Sequence, residues 1–104
     1  MEFIVYRYTL HTVIRSFGDA GTERLFDDEF SRRFQSIEKT ARRKLYQLHQ
    51  ARSLKDLAAL PGNRLEALAG DRAGQYSMRV DDQFRVCFRW TGGDAFEVEI
   101  TDYH

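Results

Sequence analysis

The chain has one cysteine, one proline and no net charge, and each shortage closes off a class of explanation. Cys87 alone cannot form an internal disulfide, which fits a reducing compartment and makes the cytoplasm the expected location. It also leaves no zinc-ligand set, and the Asp-x-His at the end of the sequence matches no metal motif, so neither a metal nor another cofactor is expected. No apolar run approaches the ~20 residues of a membrane span, and no membrane role is expected. The opening "MEFIVYRYTLHT" carries Arg7 inside its apolar stretch and lacks a small-residue cleavage site, which argues against a signal peptide. "GDRAG" contains glycines but not the strand-to-helix setting of a phosphate loop. Repeats, low-complexity stretches and linkers are absent as well.

What is there is one domain's worth of ordinary globular sequence: 104 residues, 42% hydrophobic and 31% charged, enough for a single modest core. Zero net charge would argue against a nucleic-acid partner, but the distribution matters more than the sum. Between Ser31 and Lys55 stand eight basic residues (Arg32, Arg33, Lys39, Arg42, Arg43, Lys44, Arg52 and Lys55) against one acid, Glu38. From Asp71 to His104 seven acids face four arginines. A basic helical layer and a mixed-charge sheet are expected. The basic layer is either a solvated helix face or a surface for a polyanion.

Hydrophobic spacing gives the outline. "VIRSF" (Val13 to Phe17) reads as a short first strand, and residues 1–12 before it as either a further strand or the product of a start codon placed too early. "GDAGT" reads as a loop. From about Glu23 to Gln50, Leu25, Phe26, Phe30, Phe34, Ile37, Ala41, Leu45 and Leu48 recur at helical steps, with room for a break near Asp28 to Ser31. Ser53 caps a second helix, "SLKDLAAL", which Pro61-Gly62 ends. After "NRLEAL" and the loop "AGDRAG", three runs alternate with period two. Tyr76, Met78 and Val80, then Phe84, Val86, Phe88 and Trp90, then Phe96, Val98 and Ile100 share one face. The other carries Gln75, Ser77, Arg79, Arg85, Cys87, Arg89, Glu97, Glu99 and Thr101. The expected class is α+β, with helices on one face of an antiparallel-rich sheet and the other face open to something polar.

Matching like faces sets the register. Across "DDQ", Val80 meets Phe84 and Arg79 meets Arg85. Across the glycine turn, Trp90 meets Phe96, Phe88 meets Val98 and Arg89 meets Glu97, with Arg85 opposite Thr101. The Arg79–Arg85 pair stands out, because like charges directly opposite repel. Either Glu99, diagonal to Arg85, relieves them, or the two guanidiniums form an anion site suited to a phosphate. Asp102 falls opposite Phe84, which brings the terminal Asp102, Tyr103 and His104 into the neighbourhood of the arginines. Such a set could cleave an RNA phosphodiester, which needs a base for the 2′-hydroxyl, a cation for the phosphorane and an acid for the 5′-oxygen.

"VIRSF", the span "PGNRLEALAGDRAGQYSMRVDDQFRVCFRW" and the ending "VEITDYH" together resemble the HigB branch of the RelE superfamily of toxins, most like the subgroup containing GraT. The resemblance runs from Val13 to His104 and leaves residues 1–12 outside as an N-terminal extension. It implies a microbial-ribonuclease-like RelE fold, with two N-terminal helices packed on one face of a curved, mostly antiparallel sheet. It implies ribosome-dependent cleavage of mRNA that inhibits translation and growth. The implied partners are the ribosome, mRNA and a HigA-type helix-turn-helix antitoxin, with operator DNA reached only through the antitoxin complex. The family's terminal Asp-Tyr-His maps onto Asp102, Tyr103 and His104, and its arginine after the "DDQ"-like turn onto Arg85. Where better-known members read His-Pro-Leu-Lys, this chain reads "EALA", with Glu66 in the histidine position and Ala69 in the lysine position.

The resulting assignments give Arg85 the scissile phosphate, with Arg72 assisting and Arg79 close by. His104 and Asp102 share proton transfer, Tyr103 stacks or orients a nucleotide, and Glu66 is a candidate base. Arg32, Arg33, Lys39, Arg42, Arg43 and Lys44 are candidate contacts to ribosomal RNA. The alternative is a non-enzymatic domain that blocks translation by occupying the ribosome or antitoxin. If the last residues line the site, deleting His104 alone abolishes growth arrest in cells expressing the chain; full toxicity of the shortened chain would remove His104 from the mechanism.

Overall fold

The structure, a computed structural model, describes residues 13–102. The expected extension at residues 1–12 and the terminal Tyr103 and His104 lie outside the described residues. Helix α1 (Ala20–Phe26) is followed by a 3-10 turn (Arg32–Ile37), α2 (Glu38–Gln50) and α3 (Leu54–Ala59). Strands β1 (Glu66–Ala67), β2 (Gln75–Arg79), β3 (Phe84–Thr91) and β4 (Asp94–Asp102) form one antiparallel sheet in the order β1-β2-β3-β4. The α+β class is the expected one. "NRLEAL" pairs only over the two residues of β1.

Caps explain where the helices start. α1 begins inside the expected loop "GDAGT", because Asp19 accepts from the Thr22 backbone N–H at 3.2 Å and from the Thr22 hydroxyl at 2.5 Å. It ends as Asp28 turns left-handed (φ 63°), so the single long helical pattern breaks where a break was expected. Ser53 caps α3 through the Asp56 N–H at 3.1 Å, as its sequence predicts.

The helical layer covers one face of the sheet. Leu25, Phe34, Leu45, Leu48 and Leu57 are fully buried with Met78, Val86, Phe88 and Val98. Each such side chain contributes about 1.5–3 kcal/mol of burial. Phe34 meets Phe84 edge-on, with ring centroids 5.9 Å apart.

"VIRSF" runs parallel to β4 as two isolated bridges, Ile14 with Ala95 and Phe17 with Val98, not as a full strand. The Arg15 N–H donates to the Ala95 carbonyl (2.8 Å) and the Val98 N–H to the Ser16 carbonyl (3.0 Å). Beyond it the Thr22 hydroxyl accepts from the Ile100 N–H at 3.0 Å, so the outer edge of β4 is covered rather than left as a template for pairing. His49 fastens the start of this segment. Its carbonyl accepts from the Val13 N–H (3.0 Å), its Nδ1 from the Ile14 N–H (3.2 Å), and its ring lies edge-on to Phe26.

The β2–β3 hairpin has the expected register, with Met78 opposite Val86 and Arg79 opposite Arg85. The β3–β4 hairpin departs from it. Thr91 pairs with Asp94 around Gly92-Gly93, both at positive φ (59° and 85°), a two-residue turn matched to strand twist. Trp90 therefore meets Ala95 and Arg89 meets Phe96, in place of the expected Phe96 and Glu97. A bulge at Glu97, left-handed at φ 54°, absorbs the extra residue. Past the bulge the expected pairs return: Arg85 with Thr101 and Phe84 with Asp102. As a result Ala95, rather than Phe96, is buried on the helix side.

A backbone N–H can only donate, so the bond to His49 Nδ1 requires the neutral imidazole. Burial, and then the Arg15 charge, hold His49 below its ordinary value of 6.5. Above that value both folded and unfolded chains carry it neutral. As pH falls through it the unfolded chain gains a proton that the folded chain refuses, and stability falls until the lower folded value is passed. Urea unfolding midpoints measured from pH 7.5 to 5 should therefore decline more for the native chain than for His49→Asn, which keeps an acceptor but does not titrate.

Candidate active site on the open face of the sheet

The face away from the helices carries the candidate residues. Alternation from β1 to β4 lines up Glu66, Ser77, Cys87 and Glu99 in one row, and Arg79, Arg85 and Thr101 in the next. Arg79 and Arg85 do face each other across the hairpin, and the repulsion is met by turning them apart. Arg79 pairs with Asp82 in the turn. Arg85 lies back across β2. Its Nε donates to the Ser77 hydroxyl at 2.7 Å, and its Nη2 to the Arg64 carbonyl at 2.6 Å and the Ser77 carbonyl at 3.3 Å. Glu66 brings a largely exposed carboxylate to 3.7 Å from the same Nη2.

Glu99, expected to relieve Arg85, instead takes Arg72 at 3.2 Å, and Arg72 also donates to Gln75 at 2.9 Å. Arg72 thus reaches from the β1–β2 connection over β2 to β4. The row beneath it holds Cys87, which is fully buried rather than presented on a polar surface. Arg89 pairs with Glu97 at 3.1 Å, the ion pair expected for it, although the bulge has moved the two out of register. No group of His, Cys, Asp and Glu among the described residues could hold a metal ion.

Asp102 ends β4 beside Phe84, one ladder step past the Arg85–Thr101 pair. Alternation puts Asp102 on the side of Ile100 and Arg85 on the side of Thr101. The Asp102 carboxylate accepts from Gln83 Nε2 at 3.0 Å, at the tip of the β2–β3 turn. The structure therefore joins Arg85 and Glu66 directly. It sets Asp102 at the end of the same ladder, while Tyr103 and His104 lie beyond the described residues.

The basic candidates on the helical layer divide into two groups. Arg32, Arg33, Lys39 and Arg43 are exposed, and Arg33 lies over the Phe34 ring at 4.9 Å. Lys39 and Arg43 line an open groove of about 420 Å³ along α2 with Tyr46 and Gln50. Arg42 is committed to structure. It donates to the Leu25 carbonyl at the end of α1 (2.9 Å) and pairs with Asp28 (3.0 Å) and Glu38 (3.7 Å). Lys44 is not on the surface at all. It is 95% buried and donates to the Oδ1 of the buried Asn63, whose own amide donates to the Leu57 carbonyl at 3.0 Å. Burial, with Arg43 and Arg79 nearby, lowers its pKa from the ordinary 10.5. The signal was in the spacing: Lys44 comes three residues after Ala41 and four before Leu48, on the apolar stripe itself.

A family model described as the RelE-like toxin of the type II toxin-antitoxin system HigB matches residues 15–104. Toxin HigB-1 of Vibrio cholerae serotype O1 is 40% identical over 86 residues, which is 81% of this chain and 90% of that protein. The chain belongs to the HigB-like toxin family. The endoribonuclease HigB of Proteus vulgaris is 39% identical over 41 residues, covering 39% of this chain and 45% of that protein. The YoeB dimer from Staphylococcus aureus shares the fold at a TM-score of 0.54 and 21% identity, over 90% of this chain and 98% of that one. The YoeB-YefM complex from the same organism matches at a TM-score of 0.53 and 17% identity, over 88% and 97% of the two chains.

In this HigB-like toxin the two kinds of cation should separate by experiment. Lys44→Met leaves the Asn63 carbonyl oxygen without its donor and should cost about 1–3 kcal/mol in urea unfolding, with RNA affinity unchanged. Arg43→Ala should do the reverse, leaving stability within about 0.5 kcal/mol and lowering the salt dependence of RNA binding by roughly one charge.

Proposed function

We propose that this HigB-like toxin is an endoribonuclease that cleaves mRNA on the ribosome and so arrests translation and growth. The observation that carries the reading is the meeting of Arg85 and Glu66 on an open sheet face, in a chain of this family. Arg85 binds the scissile phosphate and stabilises the charge that builds on it. Glu66 takes the proton of the 2′-hydroxyl as the O2′–P bond forms. The P–O5′ bond then breaks, and His104 protonates the leaving 5′-oxygen. Tyr103 stacks on a nucleotide, Asp102 shares proton transfer from the end of β4, and Arg72 adds charge. Arg32, Arg33, Lys39 and Arg43 hold ribosomal RNA, which supplies position rather than chemistry. The toxin works in the cytoplasm and is restrained by a HigA-type helix-turn-helix antitoxin, through which the pair reaches operator DNA.

One feature favours a second reading, blockade by occupancy: Glu66 and Ala69 stand where the better-known members have a histidine and a lysine. Sequencing mRNA 5′ ends after induction separates the two. Cleavage leaves discrete new ends that fall about 10²–10³-fold with Arg85→Ala. Growth arrest without new ends, equal in the native chain and the variant, would establish occupancy instead.

A further inference from the structure

Four arginines share the open face, and three of them are held by carboxylates: Arg72 by Glu99 at 3.2 Å, Arg89 by Glu97 at 3.1 Å, and Arg79 by Asp82. Arg85 is held differently. Its three bonds run to a hydroxyl and two backbone carbonyls, and its only carboxylate among the described residues stands off at 3.7 Å. Neutral acceptors fix a guanidinium in place without cancelling its charge. A carboxylate would fix it equally well and leave little charge for a phosphate.

We infer that Ser77 is a positioning residue for Arg85, forming with the Arg64 carbonyl a neutral cradle that aims a fully charged guanidinium at the RNA phosphate. This rests on the proposed role of Arg85. Ser77 is fully buried beside Cys87 in the row that runs from Glu66 to Glu99, and it meets Arg85 twice, through its hydroxyl and its carbonyl. Arg64 completes the cradle from a left-handed backbone conformation (φ 44°), which non-glycine residues seldom adopt, and Arg85 Nη2 takes its carbonyl. All the bonds leave through Nε and Nη2, and among the described residues Nη1 makes none. The side chain is pinned through Nε and Nη2, and 12% of its surface remains exposed. A fork held that way can take a phosphate oxygen without first giving up its own support.

Single-turnover cleavage of a defined mRNA on programmed ribosomes tests this, with the Ser77→Ala variant measured beside the native chain. The substitution removes one oxygen atom and no bulk, and thermal unfolding checks that the variant folds. Loss of positioning should lower the maximal rate at least about 10-fold while the concentration for half-maximal rate stays within about two-fold, and Ser77→Thr, which keeps the hydroxyl, should recover most of the rate. In an Arg85→Lys background, which lacks the Nε donor, Ser77→Ala should cost less than about two-fold. An unchanged rate for Ser77→Ala, or an equal loss in both backgrounds, would show that Ser77 does not act through Arg85. Full activity of Arg85→Ala would overturn the parent assignment and leave nothing for Ser77 to position. Loss with Arg85→Ala but not with Ser77→Ala would overturn the cradle alone.

Discussion

The register of the β2–β3 hairpin governs the open face, because it sets two guanidiniums directly across from one another. Asp81 fixes that register at the turn, its carboxylate accepting from the Gln83 N–H at 2.9 Å and the Phe84 N–H at 2.7 Å. With Arg79 opposite Arg85, the two charges cannot both stand upright over the ladder. One goes outward to Asp82, and the other is laid over β2 into the neutral acceptors offered by Ser77 and Arg64. Slipping the hairpin by one residue would send Arg85 into the core and Val86 to the open face. The place of Arg85 is thus set by the same alternation that fills the core with Met78, Val86 and Phe88.

Much of this was legible from the chain, and the exceptions share a cause. The alternation of β2 and β3 and the cap at Ser53 are local patterns, and they appear as read. The break after α1 is local too. The β3–β4 hairpin obeyed two local rules that disagree. The Gly92-Gly93 turn favours a two-residue loop, while the facing of Val98 and Ile100 demands a register one residue away. Only a bulge satisfies both, and nothing in the identity of Glu97 announces a left-handed residue. Lys44 was misplaced because its charge was weighed above its position on the helix. Its partner Asn63 lies in the connection before β1, a contact that periodicity does not see. Asp102 was placed correctly along the ladder, and its pairing with Phe84 already puts it on the side of Ile100 rather than that of Arg85.

The helical and sheet sides also divide the charge between them. On the sheet, arginines and acids alternate closely enough to leave little net field, so the face is suited to chemistry at one phosphate rather than to general affinity for a polyanion. Among the described residues, Arg32, Arg33, Lys39 and Arg43 carry exposed positive charge with no ion pair, on the outside of the helical layer. Even there, Arg42 and Lys44 have been drawn into structure, tying α1 to α2 and α2 to the connection before β1. The basic count in the sequence therefore overstates the surface available to RNA.

That division bears on how a chain with no net charge would act on RNA in the proposed role. A protein that gathers its substrate by charge alone needs a large positive excess, and its affinity collapses with salt. One whose substrate is already held and oriented by a larger machine needs only a few cations to dock and one well-aimed guanidinium. Neutral acceptors around that guanidinium suit the second arrangement, because they preserve the charge at the single point where it acts. On the proposed ribosome-dependent reading, the near-neutral composition of the chain follows from where the positioning is done.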